Sequence, residues 1–271
     1  MNKLTRILDP IKQATSDLLD MIDYVVRFFS GKTHLPPRSF RRYVGPTYEK
    51  DGKAWLGRFV ELGGLRPNEK VLDIGCGSGR MAFPLTKYLA TGEYCGMDIH
   101  KSIIEWCQNN ISSKYPKFKF AYSDVYNKNY NPAGMIKASE YVFPYPDRSF
   151  DFIFLTSVFT HMMPNDMCNY LKEISRLLKD NGRALLTFLL LYKDKKEADA
   201  QEKPLRKMGY IYDSEIYCSP SKDNPESAIA YKEEYILNIL SKYKLSVVEP
   251  VRYGKWTNKD GLQDMVIVKR Q

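Results

Sequence analysis

From residue 53 onward, short apolar runs alternate with longer stretches whose apolar positions recur every three to four residues. AWLGRFVELGGL (54–65) predicts a short amphipathic helix ending in glycines, and KVLDI (70–74) a buried strand. RMAFPLTKYLA (80–90) predicts a helix with Pro84 in its first turn, where proline is tolerated. Strand EYCGMDI (93–99), helix SIIEWCQNNIS (102–112) capped by Ser102, and strand FKFAYSDV (118–125) follow. Then come strand FDFIFLTSVF (150–159), helix PNDMCNYLKEISRLLKDNG (164–182) with Pro164 at its start and Gly182 at its end, and strand RALLTFLLL (183–191). Helix KEEYILNILSKYK (232–244) and the strands LSVVEPVRY (245–253) and DMVIVKR (264–270) close the chain, the last two spaced for an antiparallel pair. Apolar strands alternating with helices imply an α/β fold, with a parallel sheet covered on both faces and right-handed crossovers.

Three stretches break this rhythm. Residues 10–29 place Ile11, Leu18, Ile22, Val25 and Phe29 on one helical face, which can cover a core, pair with another subunit or lie on a membrane. Their acidic residues count against the membrane, because surface helices usually carry a basic polar face. Peripheral membrane contact through residues 1–44 stays open beside the other two. LPPRSFRRYVGP then reads as an irregular linker, so residues 1–52 divide from a domain spanning 53–271. Residues 126–149 lack a helical period and are expected to loop over the carboxyl end of the sheet. Residues 192–230 are polar and charged and read as a lid-like insertion after the fifth strand.

Composition adds limits. The 271 residues carry a net charge of +9, which suits nucleic acid, anionic lipid, an acidic substrate or solubility alone. Five scattered cysteines form no CxxC pair and histidines number three, so neither a zinc site nor a disulfide framework is expected, and a reducing, cytoplasmic setting fits. The N-terminus does not read as a signal peptide, and no run is apolar and long enough to cross a bilayer. SGKTH (30–34) resembles the end of a P-loop, but Val26 stands where its first glycine belongs, which excludes nucleoside triphosphate binding there.

The chemistry concentrates in VLDIGCGSGR (71–80). Gly75, Gly77 and Gly79 allow a tight turn and close backbone approach to a ligand, beyond the carboxyl end of a strand. A nicotinamide site uses a related turn, but Arg80 replaces the last glycine of its G-x-G-x-x-G fingerprint, and Asp73 suits a cation better than a pyrophosphate. Asp98, ending the second strand, can accept both hydroxyls of a ribose. Ile99 can pack on an adenine face, Asp124 can accept its exocyclic amine or simply cap a turn, and Val125 can offer a backbone N–H.

VLDIGCGSGR, GMDI, SDV, FPYPDRSFDFIFLTSVFTHM and LKDNGRALLTF, in that order, resemble the class I S-adenosylmethionine-dependent methyltransferases over roughly residues 53–191. The resemblance implies a Rossmann-like doubly wound sheet of seven strands in the order 3-2-1-4-5-7-6, the last antiparallel. It places S-adenosyl-L-methionine, and the product S-adenosyl-L-homocysteine, along Asp73, Gly75, Cys76, Gly77, Gly79, Asp98, Ile99, Asp124 and Val125, with Thr156 and Ser157 near the sulfonium. Arg80 can reach the methionine carboxylate, and Tyr43 in the linker can fold over the site. His161 is the expected base for a hydroxyl acceptor, against the plain alternative of a packing histidine. LTSV replaces the (N/D)-P-P-(F/Y) motif of enzymes that methylate DNA base amines, and no carboxylate cluster suggests a metal. The expected acceptor is a small molecule, a sugar or a lipid-linked group rather than nucleic acid. Tyr122, Tyr126, Tyr130, Tyr141 and Tyr145 are expected to wall the acceptor. A catalytically silent cofactor-binding module and a nicotinamide oxidoreductase remain the other readings.

Overall fold

Side chains of the central strands alternate between two cores. Val71, Tyr94, Phe152 and Phe154 enter one apolar cluster, while Leu72, Ile74, Met97 and Leu155 enter the other on the opposite face. That two-sided burial is what a mixed α/β sheet covered on both faces requires. The computed structural model describes residues 3–41, 47–210, 212–248, 250–258 and 261–271. Tyr43, expected to fold over the site, lies outside them.

In chain order the elements are α1 (Lys3–Phe29), α2 (Arg38–Arg41), α3 (Tyr48–Glu61), β1 (Lys70–Ile74), α4 (Ala82–Tyr88), β2 (Glu93–Asp98), α5 (Lys101–Cys107), β3 (Phe118–Tyr122), β4 (Phe150–Leu155), α6 (Pro164–Leu177), β5 (Leu178–Phe188), β6 (Leu190–Leu191), α7 (Lys195–Lys207), β7 (Tyr212–Asp213), β8 (Tyr217–Ser219), β9 (Ala230–Lys232), α8 (Glu233–Lys242), β10 (Leu245–Val247) and β11 (Asp264–Arg270). The main sheet has seven strands in the order β10-β11-β5-β4-β1-β2-β3. All neighbours are parallel except β11, which runs antiparallel to both β5 and β10. This is the expected seven-stranded order with its reversed last strand. The strand order reverses between β1 and β4, and this switch point opens the crevice where such sheets bind ligands.

The boundaries differ in instructive ways. α3 begins at Tyr48, so the division drawn after residue 52 falls inside it. It packs through Phe59, whose ring stacks on Phe154 at 4.2 Å. α6 stops at Leu177 because Leu178 is already extended and pairs with Phe150, so β5 begins five residues before the expected Arg183. β3 stops at Tyr122, short of Val125, and β10 stops at Val247, short of Tyr253.

The insertion is more ordered than its polarity suggests. It contains α7, and its strands β7, β8 and β9 join β6 in a second sheet ordered β6-β9-β8-β7. Trp256 packs there with Cys218 and Ala230, and its indole N–H donates to the Leu190 carbonyl at 3.1 Å. Tyr231 Oη donates to the Met162 carbonyl at 2.5 Å, and the Ile229 N–H to the Thr160 carbonyl at 2.8 Å. These bonds stitch the insertion to the segment that follows β4.

Candidate active site

The turn after β1 takes its shape from its neighbours. Gly75 has φ +80°, and a Cβ there would lie 2.4 Å from Val158 Cγ2, so both conformation and space demand glycine. The N–H groups of Gly75 and Cys76 donate to the Met97 carbonyl at 2.8 and 3.1 Å. Tyr48, reaching in from α3, donates its hydroxyl to the Ser78 carbonyl at 2.6 Å. Sequence reading missed this last tie, since nothing local marks Tyr48 as a partner of a turn thirty residues on.

A cavity of about 400 Å³ opens beside the turn. Gly75, Cys76, Gly77, Arg80, Asp98, Ile99, Val125, Thr156, Ser157 and His161 all line it, so the structure brings together ten of the residues expected from the sequence. Asp98 is one of its charged lining residues. One carboxylate oxygen accepts the Gly77 N–H at 2.8 Å and the other the His100 N–H at 2.9 Å, leaving each a second lone pair for a ligand hydroxyl. Burial raises the Asp98 pKa, and those two N–H groups oppose the rise.

Three expected residues do not face the cavity. Asp73 is fully buried behind the turn, where Oδ2 accepts the Tyr94 hydroxyl at 2.6 Å and Oδ1 has no partner. Burial pushes its pKa up to about 8, with the Asp98 charge adding to the effect. Gly79, with φ +78°, serves close packing instead: a Cβ would lie 2.6 Å from Ile111. Asp124 turns its carboxylate to the Tyr122 hydroxyl at 2.9 Å. Val125 presents its side chain to the cavity, but its N–H, expected to face the adenine ring, already donates to the Ser123 carbonyl at 2.8 Å.

After β4 the chain bends sharply. Ser157 sits in the left-handed region at φ +58°, a strained setting for a non-glycine residue, held by its N–H bond to Thr187 Oγ1 and by Gln263 Nε2, each at 2.9 Å. His161 Nδ1 lies 2.9 Å from the Glu226 carbonyl. A carbonyl only accepts, so Nδ1 carries the proton and Nε2 is the basic nitrogen of the neutral ring. Tyr130 meets the same ring edge-on at 5.5 Å.

Asp166, Glu226 and Tyr170 complete the wall around His161, and the sequence reading missed all three. Asp166 was legible only as an acidic residue in a first helical turn, and Glu226 lies in the insertion. Burial raises the pKa of both, and their mutual repulsion adds to the rise at Glu226. Of the five expected wall tyrosines, Tyr126 and Tyr130 line the cavity. Tyr141 and Tyr145 instead pack in the core below, and Tyr122 is held to Asp124. Arg80 is half-buried beside α3, with Asp51 Oδ2 3.7 Å from its guanidinium.

A seven-stranded sheet with this order, a glycine turn after β1 and a carboxylate ending β2 define the class I S-adenosylmethionine-dependent methyltransferase fold. Residues 72–186 match the family described as methyltransferase domain. A phthiotriol/phenolphthiotriol dimycocerosates methyltransferase of Mycobacterium ulcerans is 30% identical over 151 residues, 55% of this chain and 47% of that protein. A tRNA N(3)-cytidine methyltransferase of Gallus gallus is 27% identical over 133 residues, 47% of this chain and 32% of that protein. The chain thus spans less than half the length of either relative. The 1,6-didemethyltoxoflavin-N1-methyltransferase of Burkholderia thailandensis, solved with S-adenosylhomocysteine, shares the fold at TM-score 0.51 and 15% identity, over 97% of this chain and 90% of that one. The nicotinamide reading rested on the glycine turn alone, and the domain match and reversed last strand replace it.

The residues fit that cofactor. Asp98 offers two oxygens to accept hydroxyls and Ile99 an apolar face.

Proposed function

We propose that this protein transfers a methyl group from S-adenosyl-L-methionine to a hydroxyl of a small-molecule, sugar or lipid-linked acceptor. The observation that carries the reading is one cavity holding Asp98 and the glycine turn together with His161, whose tautomer is fixed. When bound, the cofactor supplies a methyl group already activated on a cationic sulfur. Asp98 holds the ribose, and the turn through Gly75 and Gly77 admits the methionine end. Thr156 and Ser157 border the reacting centre from the end of β4. His161 Nε2 takes the acceptor proton, while the Glu226 carbonyl keeps the ring oriented through Nδ1–H. Asp73 acts behind the turn, held by the Tyr94 hydroxyl, and supports the turn's shape. Lining from the insertion excludes water from the transfer. No metal enters this scheme, and the five free thiols suit the reducing cytoplasm proposed as its setting.

The test is incubation with methyl-labelled S-adenosylmethionine and a fractionated extract of the source cells. Label in a small-molecule, glycan or lipid fraction supports the reading; label in RNA moves the acceptor to nucleic acid, and label nowhere sinks the enzyme. With the acceptor in hand, His161→Ala is expected to lower kcat about 10²–10⁴-fold, while calorimetry shows S-adenosylhomocysteine binding unchanged. Unchanged turnover removes the base role.

A further inference from the structure

Over its described side chains, residues 14–29, helix α1 is built inside out. Its polar stripe faces the protein: Ser39 donates both its N–H and its hydroxyl to the Asp20 carboxylate, and Arg41 pairs with Asp23. Arg27 donates to Asp23 at 2.7 Å and to the Leu35 carbonyl at 2.7 Å. The apolar face points to solvent instead. Leu18, Met21, Ile22, Val25, Val26 and Phe29 share one side of the helix at spacings of three and four residues, with Ile22 52%, Val26 61% and Phe29 83% exposed. An exposed apolar stripe of this extent marks an interaction surface.

Two of the acidic residues that counted against a membrane in the sequence, Asp20 and Asp23, are therefore engaged on the inward side, while Asp17 is exposed. After the helix, at the surface, Glu49 meets Lys32 at 3.0 Å and Asp51 accepts from Thr47 at 2.7 Å. Residues 1–53 hold ten Lys or Arg against six Asp or Glu, and Arg38, Lys50 and Lys53 are exposed. A second copy would bring the same cationic excess to the seam, whereas an anionic surface complements it. We propose that α1 lies flat on an anionic lipid bilayer, its apolar face in the acyl boundary and the neighbouring cations toward lipid headgroups. No helix among the described residues is long and apolar enough to cross a membrane, so this contact is peripheral.

The full-length protein is sedimented with phosphatidylglycerol-containing vesicles and with pure phosphatidylcholine vesicles, beside the double variant Ile22→Ser, Val26→Ser. Both positions are exposed, so folding is retained, and matching thermal melts verify it. Binding to the anionic vesicles that weakens at least about tenfold in the variant and falls with salt supports the proposal. Wild type left in the supernatant, equal binding to both lipids, or equal binding of wild type and variant overturns it. A stable dimer in light scattering that the variant dissolves also overturns it and assigns the face to a second copy. None of these readouts depends on methyl transfer, so either proposal can fail alone.

Discussion

In the proposed scheme, Asp98 is the residue on which cofactor affinity turns. Its two oxygens are already organised by the Gly77 and His100 amides, so a ligand meets a fixed acceptor rather than a mobile one. Hydrogen bonds to a charged group contribute about 1.5–3 kcal/mol each, so Asp98→Ala, which removes both ribose bonds of the proposed scheme, is expected to weaken S-adenosylhomocysteine binding at least about 10²-fold in calorimetry. An unchanged Kd would place the ribose elsewhere. Asp98 was legible because it ends an apolar strand in a recognisable place. Asp73 was legible as a carboxylate but not as a buried one, because its burial comes from Tyr94 and the turn closing over it. The Val125 N–H was misjudged for a similar reason: only the backbone course reveals that Ser123 has already taken it.

Among the elements, α3 shows how a helix outside the sheet governs the site. It presses Phe59 onto Phe154 and sends Tyr48 to the glycine turn. Phe59 is fully buried, so Phe59→Ala is expected to cost about 3–5 kcal/mol, read as a shift in the urea midpoint. A change below about 1 kcal/mol would mean that α3 is not anchored there. The apolar strands announced themselves, and so did the helices of period 3.6 between them. What remained hidden was helix α7, polar almost all round with only Gln201 buried, and the two- and three-residue strands around it. Such short strands carry too few residues to show a period, and their pairing partners are distant in sequence. α1 misled differently: its periodicity was correct, but which face turned inward depended on Arg41 and Ser39 beyond the helix.

At the scale of the whole molecule, the buried carboxyl groups give stability a direction in pH. Burial raises Asp73 to about 8 and Asp264 to about 6, against ordinary values near 4. Between those limits the folded chain binds more protons than the unfolded one, so these groups stabilise fully below about pH 4 and lose that contribution as pH rises toward 8. The urea midpoint of the ligand-free protein is expected to fall between pH 5 and 8, and Asp73→Asn to flatten the upper part of that fall. A midpoint that rises over this range contradicts the burial of both groups. The insertion joins the whole in another sense. It reaches His161 through a main-chain carbonyl, which every amino acid possesses. The letter at position 226 is therefore free to drift without disturbing the imidazole, whereas adding or deleting a residue between β8 and β9 would move the carbonyl itself. Descent should conserve the length of that loop more strictly than its spelling.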